Sequence, residues 1–267
     1  MLDDPQPGMT ISMKKITTLL FDLGSTLIST RAPWQPIYKA ADQAMLSSLR
    51  EAGIHLDGQD SFKEFGSFLE MYYFARVSSM IERTTSVALR EFLAGKGHHK
   101  VDEGTIRLAL DALYAVTQQN WHLVEDAIPT LGLLGRKGYR LGMISNTSDD
   151  RNVQQLIDQH GLRSYFEIIL TSAGCGIRKP DALIFQLALE HFKVTAEEAA
   201  MVGDTLDADI LGANRMGIYS IWISPLNEAD EEGELNIQPQ AVVSTLVQIP
   251  ALLEALNSEV GSQEYEK

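Results

Sequence analysis

Short apolar runs recur along the chain, and each one gives way to small polar or acidic residues. They cover residues 16–22, 140–145, 167–171, 199–202, 219–223 and 241–243. Helix-like stretches separate most of these runs. Strands that are apolar on both faces and alternate with helices predict a parallel sheet covered on both sides. We therefore expect an α/β, doubly wound, Rossmann-like fold that binds its ligand beyond the carboxyl ends of the strands.

A long helical insertion separates the first run from the second. Its segments 34–52, 62–80, 87–93 and 105–121 place apolar side chains at helical spacing, and no convincing strand interrupts them. The pattern predicts a helical domain over residues 31–125, inserted into a core formed by residues 14–30 and 126–257. A chain of 267 residues is long enough for both units. The ends, residues 1–13 and 258–267, are predicted to be flexible tails.

Four short segments place polar side chains at the ends of predicted strands or just after them. They read LLFDLGSTL from residue 19, MISNTS from residue 143, RKPD from residue 178 and MVGDTLDAD from residue 201. Asp22 is a candidate carboxylate nucleophile, Ser145 offers a hydroxyl and Lys179 offers an ammonium. Asp204 and Asp209 add a pair of acids. Such a set is typical of phosphoryl transfer.

In order and spacing, these segments resemble the four motifs of the haloacid dehalogenase superfamily of hydrolases, over residues 17–256. The resemblance implies that Asp22 is the nucleophile, Ser145 the hydroxyl of the second motif and Lys179 the base of the third. Asp204 and Asp209 correspond to the acids of the fourth motif. The resemblance also implies that the helical insertion is a cap domain, which closes over the site and selects the substrate.

The same resemblance implies a metal site. The family's metal takes carboxylates from the first and fourth motifs, which here are Asp22, Asp204 and Asp209. It also takes the backbone carbonyl two residues after the nucleophile, and Gly24 retains that carbonyl. Mg²⁺ is the expected ion because it prefers oxygen ligands and completes its octahedron with waters and substrate phosphate.

Gly24 departs from the family pattern, in which most phosphatases carry a second aspartate at this position. That aspartate is the general acid for the leaving alcohol and the base for the attacking water, and glycine cannot carry a proton. General acid catalysis contributes roughly 10²–10⁴-fold in rate. A substitute proton donor could be a cap residue, Asp149 or Asp207 if either points inward, or water when the leaving group is good.

A phosphate-binding position is expected at the end of the second apolar run. Ser145 and the backbone amides of Asn146 and Thr147 are predicted to lie where a helix begins, which suits phosphoryl oxygens. Ser148 or Asp149 is the predicted cap of that helix, which runs to His160. The Lys179 ammonium is predicted to pair with both Asp22 and the phosphoryl group, offsetting charge during transfer. The neighbouring Arg178 is predicted to lie at the surface.

Charge and composition narrow the class of partner. The formal net charge of −14 opposes general affinity for nucleic acid or for anionic membranes. No apolar stretch reaches the ~20 residues that cross a bilayer, and residues 1–15 contain no apolar signal core. We therefore expect a cytoplasmic protein that binds a small phosphorylated metabolite. Its oligomeric state, monomer or homodimer, stays open.

These observations favour a magnesium-dependent phosphatase for a small phosphate monoester, acting through an aspartyl-phosphate at Asp22. Two alternatives stay open: a phosphonate-cleaving enzyme, which needs a cap lysine such as Lys39 or Lys63 as a Schiff-base amine, and a catalytically weak phosphate- and metal-binding regulatory protein. A dehalogenase is disfavoured because those relatives need no metal, and a phosphomutase because it needs the missing acid. The cap cations Lys39, Arg76, Arg83 and Arg90 are expected on solvated helix faces.

Overall fold

The computed structural model describes residues 14–56, 61–224 and 237–264. The predicted tail 1–13 and the last three residues of the predicted tail 258–267 lie outside these ranges. The strands are β1 (Thr18–Phe21), β2 (Ile28–Thr30), β3 (Trp121–Leu123), β4 (Arg140–Ser145), β5 (Ile168–Thr171), β6 (Ala199–Gly203), β7 (Tyr219–Ile223) and β8 (Ala241–Val243).

The helices alternate with these strands in the core and follow one another in the insertion. They are α1 (Trp34–Glu51), α2 (Ser61–Ser79), α3 (Thr85–Gly95), α4 (Glu103–Thr117), α5 (Ala127–Arg136), α6 (Asp150–Gln159), α7 (Ser172–Cys175), α8 (Ala182–Phe192), α9 (Leu211–Met216) and α10 (Ile249–Glu264). A π-helical turn, Leu206–Ile210, leads into α9. Helix α10 continues through Glu264, so residues 258–264 are helical where the sequence predicts a flexible tail.

The core is a six-stranded parallel sheet with the order β5-β4-β1-β6-β7-β8. Side chains alternate between its faces, so Leu19 and Phe21 join one apolar cluster while Leu20 joins the other. Helices α5, α6 and α10 cover the first face, and α8 and α9 cover the second. The predicted α/β, doubly wound, Rossmann-like fold is confirmed.

Helices α1 to α4 follow β2 and pack around an apolar cluster of their own, which we call the cap (residues 34–117). On α1 the buried residues Ala41, Met45 and Leu49 recur at a spacing of four, which is the apolar stripe that identified the insertion. Among the described residues, none of the helices combines the length and the apolar character that a bilayer crossing requires.

One expectation for the insertion is wrong. Trp121–Leu123 forms strand β3, which pairs antiparallel with β2 where the chain leaves and re-enters the core. The strand has only three residues, all of them partly buried, so it produces no detectable alternation of apolar and polar residues.

Candidate active site

Asp22 lies directly after β1, the strand at the centre of the sheet. Its backbone N–H donates to the carbonyl of Val202 on β6 at 2.9 Å, which continues the ladder by one residue. The flanking strands β4 and β6 end at the same edge and place Ser145 and Asp204 beside it. The side chains that the sequence motifs predicted to be close therefore meet at one end of the sheet.

The Lys179 ammonium links the two acidic motifs. Its Nζ lies 2.6 Å from Asp22 Oδ1 and 2.7 Å from Asp209 Oδ1, and it also donates to the carbonyl of Ile144 at 2.6 Å. Lys179 is only 3% exposed and Asp209 only 1% exposed. A buried ammonium held by three oxygens has one fixed position, which is what charge stabilisation at a reacting group requires.

Asn146 fixes the backbone of Lys179. Its Oδ1 accepts from the Lys179 N–H at 2.9 Å, and its Nδ2 donates to the Lys179 carbonyl at 3.0 Å. This double hydrogen bond ties the second motif to the third. The sequence pointed to Asn146 only through its backbone amide, and nothing local in the sequence signals that its side chain would hold the lysine.

The fourth motif folds into the π-helical turn so that Asp209 points back beneath β6. Asp209 Oδ2 accepts from the Thr205 N–H at 3.1 Å, and the Asp209 N–H donates to the Thr205 carbonyl at 2.8 Å. Gly203 makes this fold possible, because a Cβ there would lie 2.2 Å from Asp209 Oδ2. Asp204 is anchored through its carbonyl, which accepts from Trp222 Nε1 at 2.8 Å.

Three carboxylates converge around this point. Asp22, Asp204 and Asp209 each offer an oxygen, and these oxygens lie within 4.8 Å of one another. Burial raises the pKa of Asp204 to about 6, with a further contribution from Asp209, and burial raises the pKa of Asp209 to about 6. One ammonium facing three carboxylates leaves excess negative charge, so the cluster fits a hard divalent cation bound through oxygen.

The pKa values of the central ion pair follow from the same crowding. Burial raises the pKa of Asp22, although Lys179 acts in the opposite direction. Burial alone would lower the pKa of Lys179, but the carboxylates of Asp209 and Asp22 raise it above its usual value. Lys179 therefore stays charged, and in these positions it serves as a fixed cation.

The expected phosphate-binding position is only partly as predicted. Ser145 ends β4, is buried and lines the cavity beside Asp22. The Thr147 N–H, however, donates to Ser172 Oγ at 2.8 Å, so it is occupied within the protein. Helix α6 begins only at Asp150, because Asp149 caps it through the Asn152 N–H. The prediction that Ser148 or Asp149 caps this helix is confirmed for Asp149, so Ser145 and the amides of Asn146 and Thr147 lie before the helix and not in its first turn.

The cavity at this edge has a volume of about 660 Å³. It extends from the carboxylate cluster to the cap side of the sheet. Its lining includes Asp22, Gly24, Met80, Trp121, Ser145, Asn146, Asn152, Arg178, Lys179, Asp204, Asp207, Asp209 and Arg215.

The cap contacts the core through a buried charged group beside the site. Glu82 pairs with Arg178 and accepts from Ser172 Oγ at 2.7 Å, and its side chain is fully buried. The prediction that Arg178 lies at the surface is therefore wrong, since its side chain is only 12% exposed. The sequence does not signal this pairing, because Glu82 and Arg178 belong to different domains.

The two candidate substitute acids differ in position. Asp149 Oδ2 accepts a hydrogen bond from Arg107 Nη1 at 2.7 Å, and Asp149 Oδ1 accepts the capping bond from the Asn152 N–H. Asp149 is not among the described residues that line the cavity. It does not point inward as a free acid. Asp207 lines the cavity and is exposed to solvent.

The cap cations point to structural roles where their side chains are described. Arg83 pairs with Glu91, and Arg90 pairs with Glu103, both at exposed positions. Lys39 is exposed and is not among the described residues that line the cavity. The side chains of Arg76 and Lys63 lie outside the described part of the chain.

The same residues fall within the part of the chain that a family model matches. A family model described as haloacid dehalogenase-like hydrolase matches residues 16–217. Among proteins of known function, the chain is 32% identical over 220 residues to a ribulose-1,5-bisphosphate 5-phosphatase of Halopiger xanaduensis, covering 80% of this chain and 87% of that protein. It is 27% identical to a glyceraldehyde 3-phosphate phosphatase of Pyrococcus furiosus, covering 94% and 97%.

Solved structures show the same architecture. A 2-haloacid dehalogenase from Pseudomonas syringae pv. Tomato superimposes with a TM-score of 0.65 at 27% identity, covering 90% of this chain and 99% of that one. A HAD phosphatase from Thermococcus onnurineus superimposes with a TM-score of 0.63 at 23% identity, covering 89% and 98%. At 23% identity, the similarity to the Thermococcus onnurineus structure shows a shared fold alone.

Proposed function

The chain belongs to the haloacid dehalogenase-like hydrolase family, and its relatives mark it as a hydrolase of phosphoric monoesters; from this premise we propose that it acts on a small phosphorylated metabolite through an aspartyl-phosphate at Asp22, with Mg²⁺. The observation that carries the proposal is the buried Lys179 ammonium between Asp22 and Asp209, with Asp204 completing the carboxylate cluster.

Each residue has a distinct part in the proposed reaction. Asp22 attacks phosphorus, and Lys179 holds the attacking carboxylate in place while offsetting charge on the phosphoryl oxygens. Ser145 donates a hydrogen bond to a phosphoryl oxygen, and Asn146 keeps the lysine in register. Water then attacks the aspartyl-phosphate, which releases inorganic phosphate and restores the carboxylate.

We assign the metal to the carboxylates of Asp22, Asp204 and Asp209 and to the backbone carbonyl of Gly24. Their donor set is all oxygen, which suits Mg²⁺. When bound, Mg²⁺ supplies positive charge to the substrate phosphate and to the crowded carboxylates. The cluster favours a phosphatase over a dehalogenase, because attack by a single carboxylate on carbon has no need for two further acids.

The test is hydrolysis of a panel of phosphate monoesters with and without Mg²⁺. The panel includes ribulose-1,5-bisphosphate, glyceraldehyde 3-phosphate and 4-nitrophenyl phosphate. We expect Asp22→Asn to abolish turnover and the wild type to yield a phosphorylated Asp22 peptide by mass spectrometry. Asp158→Asn is the matched control, since Asp158 is an exposed aspartate paired with Arg163. It should leave turnover unchanged.

Two outcomes would redirect the proposal. Turnover retained in Asp22→Asn would refute the aspartyl-phosphate route. Wild-type protein that binds Mg²⁺ and phosphate but hydrolyses no ester would favour the regulatory alternative. The phosphonate-cleaving alternative gains no support from Lys39, which stands apart from the described cavity lining.

A further inference from the structure

The space beside Gly24 is occupied by an aromatic ring. A Cβ on Gly24 would lie 3.6 Å from Trp121 Cη2 and 3.9 Å from Trp121 Cζ3. Both residues line the cavity that holds Asp22. An ionisable side chain at position 24 would start already in contact with the indole. Position 24 therefore offers no proton donor, and an apolar ring lies within ordinary van der Waals contact of it.

The other carboxylates of the cavity do not fill this role in the described structure. Asp22 is the nucleophile, and Asp204 and Asp209 belong to the metal cluster. Asp207 is exposed, so water competes for any hydrogen bond between it and a leaving oxygen. Asp149 is held by Arg107 and by its capping bond.

The ring beside Gly24 begins a row of aromatic side chains. Trp121 packs on Trp34 of α1 with ring centres 5.5 Å apart, and Trp34 stacks on Tyr38 at 5.0 Å with an interplanar angle of 11°. Trp121 is the ring of this row that lines the cavity, and Tyr38 at the other end is 52% exposed. A planar ligand in the cavity gains both apolar contact and ring stacking on Trp121.

We propose that this site selects phosphate esters of planar, acidic hydroxyl compounds, namely phenols and enols, over esters of aliphatic alcohols. The proposal rests on the phosphatase function proposed above and names its substrate class. Two features carry it. Among the described residues that line the cavity, the carboxylates are the nucleophile Asp22, the metal cluster and the exposed Asp207, and the Trp121 ring lies against Gly24.

The chemical step needs no acid when the leaving group is a stable anion. An Asp22 carboxylate oxygen bonds to phosphorus, the bond from phosphorus to the ester oxygen breaks, and its electron pair leaves with a phenolate or enolate. Water oxygen then bonds to phosphorus, the bond to Asp22 breaks, and the carboxylate recovers its electron pair. Water gives up one proton to solvent, and the phenolate or enolate takes one from solvent.

A structure–reactivity series tests the proposal. kcat/KM is measured with Mg²⁺ for aryl phosphates whose leaving groups span several pKa values, and for alkyl phosphates of similar size. Without proton donation, the full negative charge develops on the leaving oxygen. We expect kcat/KM to fall steeply as leaving-group pKa rises, and alkyl esters to react about 10²–10⁴-fold more slowly than aryl esters.

Variants separate the missing acid from the aromatic surface. Gly24→Asp should flatten the dependence on leaving-group pKa by speeding the alkyl esters, because a Cβ at position 24 meets Trp121 at an ordinary van der Waals distance. Trp121→Leu should raise KM for aryl esters about two- to tenfold and should raise KM for alkyl esters less. Phe74→Leu, at an exposed cap position, is the matched control.

The outcomes that overturn the inference differ from those that overturn the phosphatase. Equal kcat/KM for aryl and alkyl esters, or a flat dependence on leaving-group pKa, would refute the substrate class while leaving phosphatase activity in place. An Asp207→Asn variant that loses activity only on alkyl esters would identify Asp207 as the acid and refute it too. No hydrolysis of any ester, or turnover retained in Asp22→Asn, would instead refute the proposed function.

Discussion

Gly203→Ala should break the site without changing any charged residue. The added Cβ would lie 2.2 Å from Asp209 Oδ2, 2.4 Å from Cγ and 2.7 Å from Cβ. Carbon and oxygen atoms in ordinary contact are separated by about 3.4 Å, so Asp209 must move by about 1 Å. That shift breaks the 2.7 Å contact between Asp209 and Lys179 and opens the carboxylate cluster.

The expected magnitude follows from the burial of that pair. Both side chains are 1% exposed, and separating a buried ion pair costs about 3–5 kcal/mol. We expect the free energy of unfolding to fall by about that amount in urea titrations. If about 3 kcal/mol of it is also lost from the transition state, kcat/KM falls by about a hundredfold. Calorimetric titration should show weaker Mg²⁺ binding.

Gly142→Ala is the matched control, because it makes a similar collision away from the carboxylates. Its Cβ would lie 2.8 Å from Phe192 Cε2, in the core between β4 and α8. We expect a loss of about 1–3 kcal/mol from overpacking, with Mg²⁺ affinity retained. A Gly203→Ala protein that binds Mg²⁺ and turns over like the wild type would refute the reasoning.

Three further predictions concern charge. Mg²⁺ affinity should fall about tenfold or more between pH 7 and pH 5, because the carboxyls of Asp204 and Asp209, with pKa values of about 6, must release protons to bind it; a pH-independent calorimetric affinity would contradict this. Glu82→Gln should lower the free energy of unfolding in urea by about 3–5 kcal/mol because it removes the carboxylate that pairs with the buried Arg178 charge, and a loss below about 1 kcal/mol would contradict this. Burial raises the pKa of Asp42 to about 6, so the folded state binds the Asp42 proton more tightly than the unfolded state does. Ionisation of Asp42 therefore lowers the free energy of unfolding. Asp42→Asn should therefore stabilise by about 1–3 kcal/mol at pH 8 and by nothing below about pH 4, and an equal effect at both pH values would count against this explanation.

Local pattern was sufficient to predict the sheet and most of the motif positions. Asp22 and Ser145 end buried runs, and such runs become central strands because they are apolar on both faces. The helical insertion followed from the spacing of its apolar residues, whereas its role as a cap was implied by the family resemblance. The cap of α6 at Asp149 was one of two predicted positions. Strand β3 escaped, because a strand of three residues shows no periodicity.

The local sequence pattern could not predict which side chains of distant segments pair with each other. Arg178 looked like a surface residue, yet it pairs with buried Glu82 from the cap. Asn146 looked like a backbone donor, yet its side chain holds Lys179. Both pairings depend on how two elements that are far apart in the chain approach each other, and the residues next to either partner in sequence do not indicate that approach.

The sequence by itself determined which runs are buried and which polar residues follow them. It also determined that Gly24 has no proton to donate. These are properties of single residues and their neighbours, so periodicity and chemistry reveal them. Tertiary structure alone decided that Trp121 stands against Gly24 and that Asp209 reaches Lys179 beneath Gly203. Those contacts are set by packing, in which the volume left open by one residue is filled by another that is distant along the chain.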